Sequence, residues 1–153
     1  MQIKRITLSE YQLVTGLFDK YRVFYKQPSD IPLAEKFIRE RLENKESVIF
    51  VAFDNDGSPA GFTQLYPLIS SVRAIKNWLL NDLYVDAAYR KQGVGEALIK
   101  TAMDFAAGEN AVYLKLETAV DNYAAQSLYE AIGFKKQEPE TGYLTYKIEV
   151  NKQ

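Results

Sequence analysis

The sequence predicts a mixed α/β domain, and three observations carry that expectation. Strand-like and helix-like segments alternate from end to end in the order β-α-α-β-β-β-α-β-α-β-β. No linker, repeat or low-complexity stretch interrupts them, so residues 1–153 read as one domain. A loop bearing two glycines also joins an apolar strand directly to an amphipathic helix, an arrangement able to close backbone amides around an oxyanion.

Residues 2–7 read as a short strand. Ser9 is expected to cap a helix in which Val14, Leu17, Phe18 and Tyr21 recur at helical spacing. Residues 26–31, with Pro28 and Asp30, read as a loop. Pro32 suits the first turn of a second helix with Ala34, Phe37, Ile38 and Leu42 on one face. Val48 to Phe53 is a continuous apolar run, as in a strand covered on both faces. Asn55-Asp56-Gly57 supplies turn chemistry, and Ala60 to Leu68 is the expected return strand of a hairpin. Trp78 to Val85 reads as another strand. Gly93 then opens a helix with Val94, Ala97, Leu98, Thr101, Ala102 and Phe105 on one face, ended by Gly108. Val112 to Thr118 alternates as a strand, and Asn122 to Ile132 is helical, closed by Gly133. Phe134 to Lys136 and Tyr143 to Val150 are the last expected strands. The prediction is a sheet of about seven strands with about four helices.

Composition narrows the chemistry. The 153 residues contain no cysteine and no histidine, which excludes disulfides, thiolate nucleophiles, Cys/His zinc sites and imidazole catalysis. A proton acceptor must be a carboxylate, a lysine, a tyrosine or water. The net charge of −1, without blocks of like charge, lacks the basic footprint of a nucleic-acid binder. No apolar run approaches the ~20 residues of a membrane-spanning helix. No apolar signal region follows Met1 to Arg5, so a cytoplasmic location is expected.

The informative segment runs from Asp82 to Leu98, where Arg90-x-x-Gly93-x-Gly95 leads into the helix. Glycines let backbone N–H groups approach an oxyanion, and the helix N-terminus adds its orphan donors and partial positive charge. By itself this is equally a tight strand-to-helix turn with Arg90 and Lys91 solvated. The spacing matches neither the GxxxxGK(S/T) nor the GxGxxG pattern.

Followed by one more strand and by Asn122-x-x-Ala125-x-x-Leu128-Tyr129-x-x-x-Gly133-Phe134, the loop resembles the acetyl-CoA pyrophosphate loop of the GNAT (GCN5-related N-acetyltransferase) superfamily. The resemblance covers almost the whole chain. Leu80 to Val85 and Gly61 to Pro67 further resemble the diamine and polyamine acetyltransferase branch. The superfamily implies a mixed sheet whose fourth and fifth strands splay apart to admit the pantetheine arm.

Carried onto this sequence, the resemblance implies main-chain contacts from Leu83, Tyr84 and Val85 to that arm. It makes the Leu83 N–H the oxyanion donor, gives the pyrophosphate the amides of Lys91, Gln92, Gly93, Val94, Gly95 and Glu96, and places Arg90 among the cosubstrate-binding residues. Asn122 and Ala125 would contact the cosubstrate, although Asn122 equally suits a helix N-cap. Tyr129 matches the acid that protonates the departing thiolate, a role open to a phenol of pKa ~10 facing a thiol of ~8.5. Its alternative is packing with Leu128 and Ile132. The base is open. The polyamine branch commonly has glutamate where Asn81 stands, and an amide cannot accept a proton. A water-mediated base with Asp82 nearby is favoured, with Glu117 as the other candidate carboxylate; adjacent strand residues such as Asn81 and Asp82 face opposite ways unless a bulge intervenes. Tyr21, Arg22 and Tyr25 would wall the acceptor site, with Tyr21, Tyr25, Asp82 and Glu117 touching the amine. The expected reaction is acetyl transfer to a small cationic amine, with no metal and with homodimer formation. A protein N-terminus or lysine as acceptor, and a non-catalytic acyl-CoA-binding module, are the alternatives.

Overall fold

A computed structural model describes residues 1–151 of the chain, which divides into a larger unit, residues 1–117, and a smaller one from Thr118 onward. In the larger unit, strands β1 (Gln2–Arg5), β2 (Val48–Phe53), β3 (Pro59–Ser70), β4 (Ile75–Val85) and β5 (Leu114–Lys115) form one sheet in sequential order. β1 to β4 pair antiparallel, and β4 pairs parallel with β5.

Helices α1 (Gln12–Phe24) and α2 (Ile31–Glu43) bury Val14, Leu17, Phe18, Ala34 and Ile38 against Ile49, Val51 and Phe62 of one sheet face. Strand alternation sends Phe50, Gly61 and Trp78 to the other face, where helix α3 (Val94–Gly108) lies. There Phe105 meets the Phe50 and Trp78 rings edge-on, with centroids 5.7 and 5.0 Å away. Gly61 permits this packing: a Cβ on it would stand 2.8 Å from the Tyr84 carbonyl oxygen and 3.3 Å from Val94 Cγ1.

Local capping differs in one place from the expectation. Ser9 does not cap α1; it sits inside a 3₁₀ turn, Leu8–Glu10. Glu10 Oε1 accepts from both the amide and the hydroxyl of Thr7, each at 3.0 Å, so Thr7 starts the turn. Asp30 caps α2 through the Leu33 amide at 3.1 Å, with Pro32 in the first turn.

The strand count is corrected from about seven to five among the described residues. The Val112–Thr118 strand shrinks to Leu114–Lys115, because its ladder with β4 consists only of Trp78 beside Leu114 and Leu79 beside Lys115. Residues 134–136 and 143–150 form no strand. Their alternation fits the strand period, but a strand also needs a neighbouring backbone. Tyr143, Leu144, Tyr146, Ile148 and Val150 are each more than four-fifths exposed. In the smaller unit the described helix is α4 (Tyr123–Ile132), capped by the Asn122 side chain and ended at Gly133, φ 123°.

Candidate active site

The strand-to-helix loop has the backbone of an anion cradle. After β4, Asp86 caps a short turn, Ala87–Tyr89; Arg90 is extended, and Lys91 (φ 61°) and Gly93 (φ 80°) are both left-handed. Such reversals turn successive amides toward one side. The first intrahelical bond of α3 is Ala97 N–H to Gly93 O at 3.0 Å, so the amides of Val94, Gly95 and Glu96 precede the helical ladder. A Cβ at Gly93 would meet nothing within 4 Å, so the space beside this backbone is open.

The loop is braced from three directions. Lys20 Nζ donates to Asp86 Oδ2 at 2.9 Å, and the Tyr89 hydroxyl donates to Asp54 Oδ2 at 2.6 Å. Arg90 Nε donates to Val85 O at 3.1 Å, with the guanidinium carbon 5.7 Å from the Tyr84 ring centroid. These bonds hold both carboxyls below their usual range, Asp86 mainly through Lys20 and Asp54 mainly through Tyr89. Asp86 and Asp54 beside the loop are thus already engaged, and Arg90 and Lys91 are exposed.

β4 keeps a ladder with β3 as far as Val85, but with β5 only through Trp78 and Leu79. Beyond Leu79 its outer edge has no strand partner among the described residues, past Asn81, Asp82, Leu83, Tyr84 and Val85. Within the larger unit, the ladder between the fourth and fifth strands thus ends at Leu79 and Lys115.

Asn81 marks a bulge. Gln64 pairs with Asp82 and Leu65 with Leu80, leaving Asn81 as the extra residue. In a regular strand Asp82 would share the face of Leu80, toward α3. The bulge re-aims it under α1, where it is only 2% exposed. Its Oδ1 accepts from Asn81 Nδ2 and its Oδ2 from Gln64 Nε2, both at 2.5 Å, and Thr63 Oγ1 donates to its carbonyl oxygen at 2.8 Å. Burial raises its carboxyl above the usual range, with the hydrogen bonds from Asn81, Gln64 and Tyr21 pulling the other way. Burial and the nearby Asp82 charge push the Tyr21 phenol far up; burial first and Asp82 second do the same for Tyr66. A single buried acid whose proton affinity is raised by burial thus lies between two phenols that stay neutral.

The larger unit brings together Tyr21, Asn81, Asp82 and the start of the unpaired edge. The Tyr21 hydroxyl reaches Asn81 O at 3.4 Å, and its ring packs edge-on to Phe62 and to Tyr25, with centroids 5.8 and 5.0 Å away. Tyr25, just past α1, is exposed and packs edge-on to both Tyr21 and Phe24, while Arg22 on α1 is partly buried. Glu117 lies beyond β5 rather than on a strand, with an exposed side chain paired to Lys115 at 3.8 Å, so its candidacy as a base has no burial to support it. In the smaller unit, Asn122 Oδ1 accepts from the Ala125 amide at 3.2 Å, which realises the N-cap alternative. Tyr129, one turn before Gly133, has its ring centroid 6.0 Å from that of Phe134. Sequence reasoning missed Gln64, Ser47 and Tyr66. The available signal was the adjacent Thr63 and Gln64 in the middle of a largely apolar strand.

Residues 12–134 match the acetyltransferase (GNAT) family. The chain is 43% identical over 150 residues, 98% of each chain, to a Bacillus subtilis (strain 168) protein named an uncharacterized N-acetyltransferase, YhfO. It is 31% identical over 124 residues to a probable acetyltransferase of Haemophilus influenzae, covering 81% of this chain and 83% of that one. A crystal structure of a probable acetyltransferase superposes with a TM-score of 0.87 at 38% identity, over the whole of both chains.

Proposed function

Because the chain belongs to the GNAT family of acetyltransferases, enzymes that use acetyl-CoA, we propose that it acetylates a primary amine of a small cationic molecule with Asp82 receiving the amine's proton. The carrying observation is the bulge at Asn81, which sets a buried carboxylate beside the unpaired stretch of β4. Acetyl-CoA supplies the activated acetyl group, which the amine attacks directly in a ternary complex.

The chain's own groups then have distinct tasks. Amides from Lys91 to Glu96 hold the pyrophosphate, and Arg90 adds charge at the rim. Main-chain groups of Leu83, Tyr84 and Val85 bind the pantetheine arm, and the Leu83 N–H donates to the thioester oxygen as negative charge develops there. Asp82, directly or through one water, takes the proton from nitrogen. Asn81 fixes one carboxylate oxygen, a task an amide performs well although it cannot itself be the base. Tyr129 gives a proton to the leaving sulfur, and Asn122 and Ala125 line the cosubstrate; these three roles rest on the motif they occupy. Tyr21 and Tyr25 offer aromatic faces and edges to a cationic substrate. This reading keeps the diamine and polyamine branch as the nearest acceptor chemistry and takes the enzyme as a cytoplasmic homodimer.

The test is thiol release from acetyl-CoA with a panel of monoamines, diamines, polyamines, peptide N-termini and lysine peptides. A small amine should support turnover, and Asp82→Asn should lower it by roughly 10²–10⁴-fold, the usual contribution of a positioned base. Turnover only with peptides would replace the small-amine acceptor. Unchanged turnover in Asp82→Asn would remove Asp82 as the base.

A further inference from the structure

Gln64 is fully buried at the middle of β3, between Thr63 and Leu65, which are fully buried as well. Burying an amide without partners is costly, so both its ends must be bonded. Its Nε2 donates to Asp82 Oδ2, and its Oε1 accepts from Ser47 Oγ at 2.7 Å. The orientation follows from chemistry. An ionised carboxylate only accepts, so the NH₂ end must face Asp82 and the carbonyl end must face Ser47, whose hydroxyl must then donate. Ser47, just before β2, is itself buried. The three side chains form a row across the sheet, on the face beneath α1 and α2.

Resting on the reading of Asp82 as proton acceptor, we propose that Gln64 and Ser47 are positioning residues that fix its carboxylate: Ser47 sets the Gln64 amide, and the amide holds Oδ2. With Asn81 on Oδ1, the carboxylate plane cannot turn, and its remaining lone pairs keep one direction. Removing the Gln64 donor leaves the ionised form less stabilised and therefore raises the Asp82 titration midpoint. Removing the Ser47 hydroxyl frees the amide to rotate and produces the same change at second hand.

The groups facing Asp82 do not obscure this. From α1 comes Tyr21 and from β3 comes Tyr66, both pushed upward as phenols and neutral throughout the working range. Arg41 and Glu46 act on Tyr66, with opposite signs.

The experiment follows the Asp82 side-chain carboxyl by ¹³C NMR in the whole protein, assigned by its disappearance in Asp82→Asn. In Gln64→Leu and Ser47→Ala the midpoint should rise by roughly one to two pH units, the scale of one hydrogen bond to a charged group. Ser47→Thr retains a hydroxyl and should restore the midpoint. Ser47→Ala added to Gln64→Leu should give no further shift, because its effect passes through the amide. The acid limb of kcat/KM for thiol release should move with the midpoint. Midpoints unchanged in folded Ser47→Ala and Gln64→Leu overturn the positioning role; should Gln64→Leu fail to fold, the Ser47→Ala and Ser47→Thr pair decides alone. Thiol release unaffected by Asp82→Asn overturns instead the proposed base, whatever the midpoints do.

Discussion

Adding one methyl group at Gly61 tests how the two walls of the proposed acetyl-CoA slot are joined. Its Cβ would lie 2.8 Å from the Tyr84 carbonyl oxygen, 3.3 Å from Val94 Cγ1 and 3.4 Å from Leu98 Cδ1. The side chains of Val94 and Leu98 can give a little. The carbonyl cannot, because it belongs to the β4 backbone that pairs with β3 at Phe62 and Tyr84. Gly61→Ala therefore forces β4 and the first turn of α3 apart. Overpacking of this kind costs about 1–3 kcal/mol. At ~2–4 °C per kcal/mol for a chain of this size, Tm should fall by roughly 2–12 °C. The same displacement moves Tyr84 and the Val94 amide, so affinity for acetyl-CoA should fall as well, measured by calorimetric titration. Gly16→Ala serves as the control: it lies exposed within α1, and its Cβ would meet nothing within 4 Å. That change should stabilise by about 0.5–1 kcal/mol, the helix preference of Ala over Gly, and leave binding alone. A Gly61→Ala protein with unchanged Tm and affinity would refute the argument that this close approach fixes the slot.

Three further outcomes are expected. Saturating acetyl-CoA at ~100 times its Kd should stabilise the protein by about 2.7 kcal/mol, and Gly93→Val should abolish the shift in a thermal melt. A β-branched residue is strained at φ 80° and places its methyls in the open side of the cradle. Tyr129→Phe should lower turnover by roughly 10²–10⁴-fold while leaving acetyl-CoA affinity intact in single-turnover and binding assays. Light scattering at micromolar concentration should give the mass of two chains.

Much of the fold was legible because it depends on local signals. Val48–Phe53 was read to the residue, since a run of apolar residues between polar turns admits few alternatives. The cradle was legible because Gly93 in a left-handed conformation before a helix is a requirement of backbone sterics. The final strands were not, because alternation at Tyr143 to Val150 records a preference for an extended chain, not the presence of a partner. The orientation of the candidate base was only half legible. Asp82 was named beside Asn81, but whether it faces the site depends on register with Gln64, a non-local fact. Two adjacent polar residues in an apolar strand were the visible trace of the bulge, and they left its direction open.

If Asp82 is the base, as proposed, that bulge accounts for an asparagine at position 81. A base on a regular strand would have to occupy position 81, whose side chain points under α1. Inserting one residue makes position 82 point there instead, and position 81 becomes free to supply a donor. The pair then divides the work of one side chain: Asp82 carries the charge, and Asn81 holds it. Burial of Asp82 raises its proton affinity, while Asn81, Gln64 and Tyr21 keep the ionised form accessible. A carboxylate fully compensated by donors would be too weak a base, and one without donors would stay protonated. In the proposed mechanism the row from Ser47 to Asp82 sets the balance between them, which ties a serine hydroxyl two strands away to the chemistry on β4.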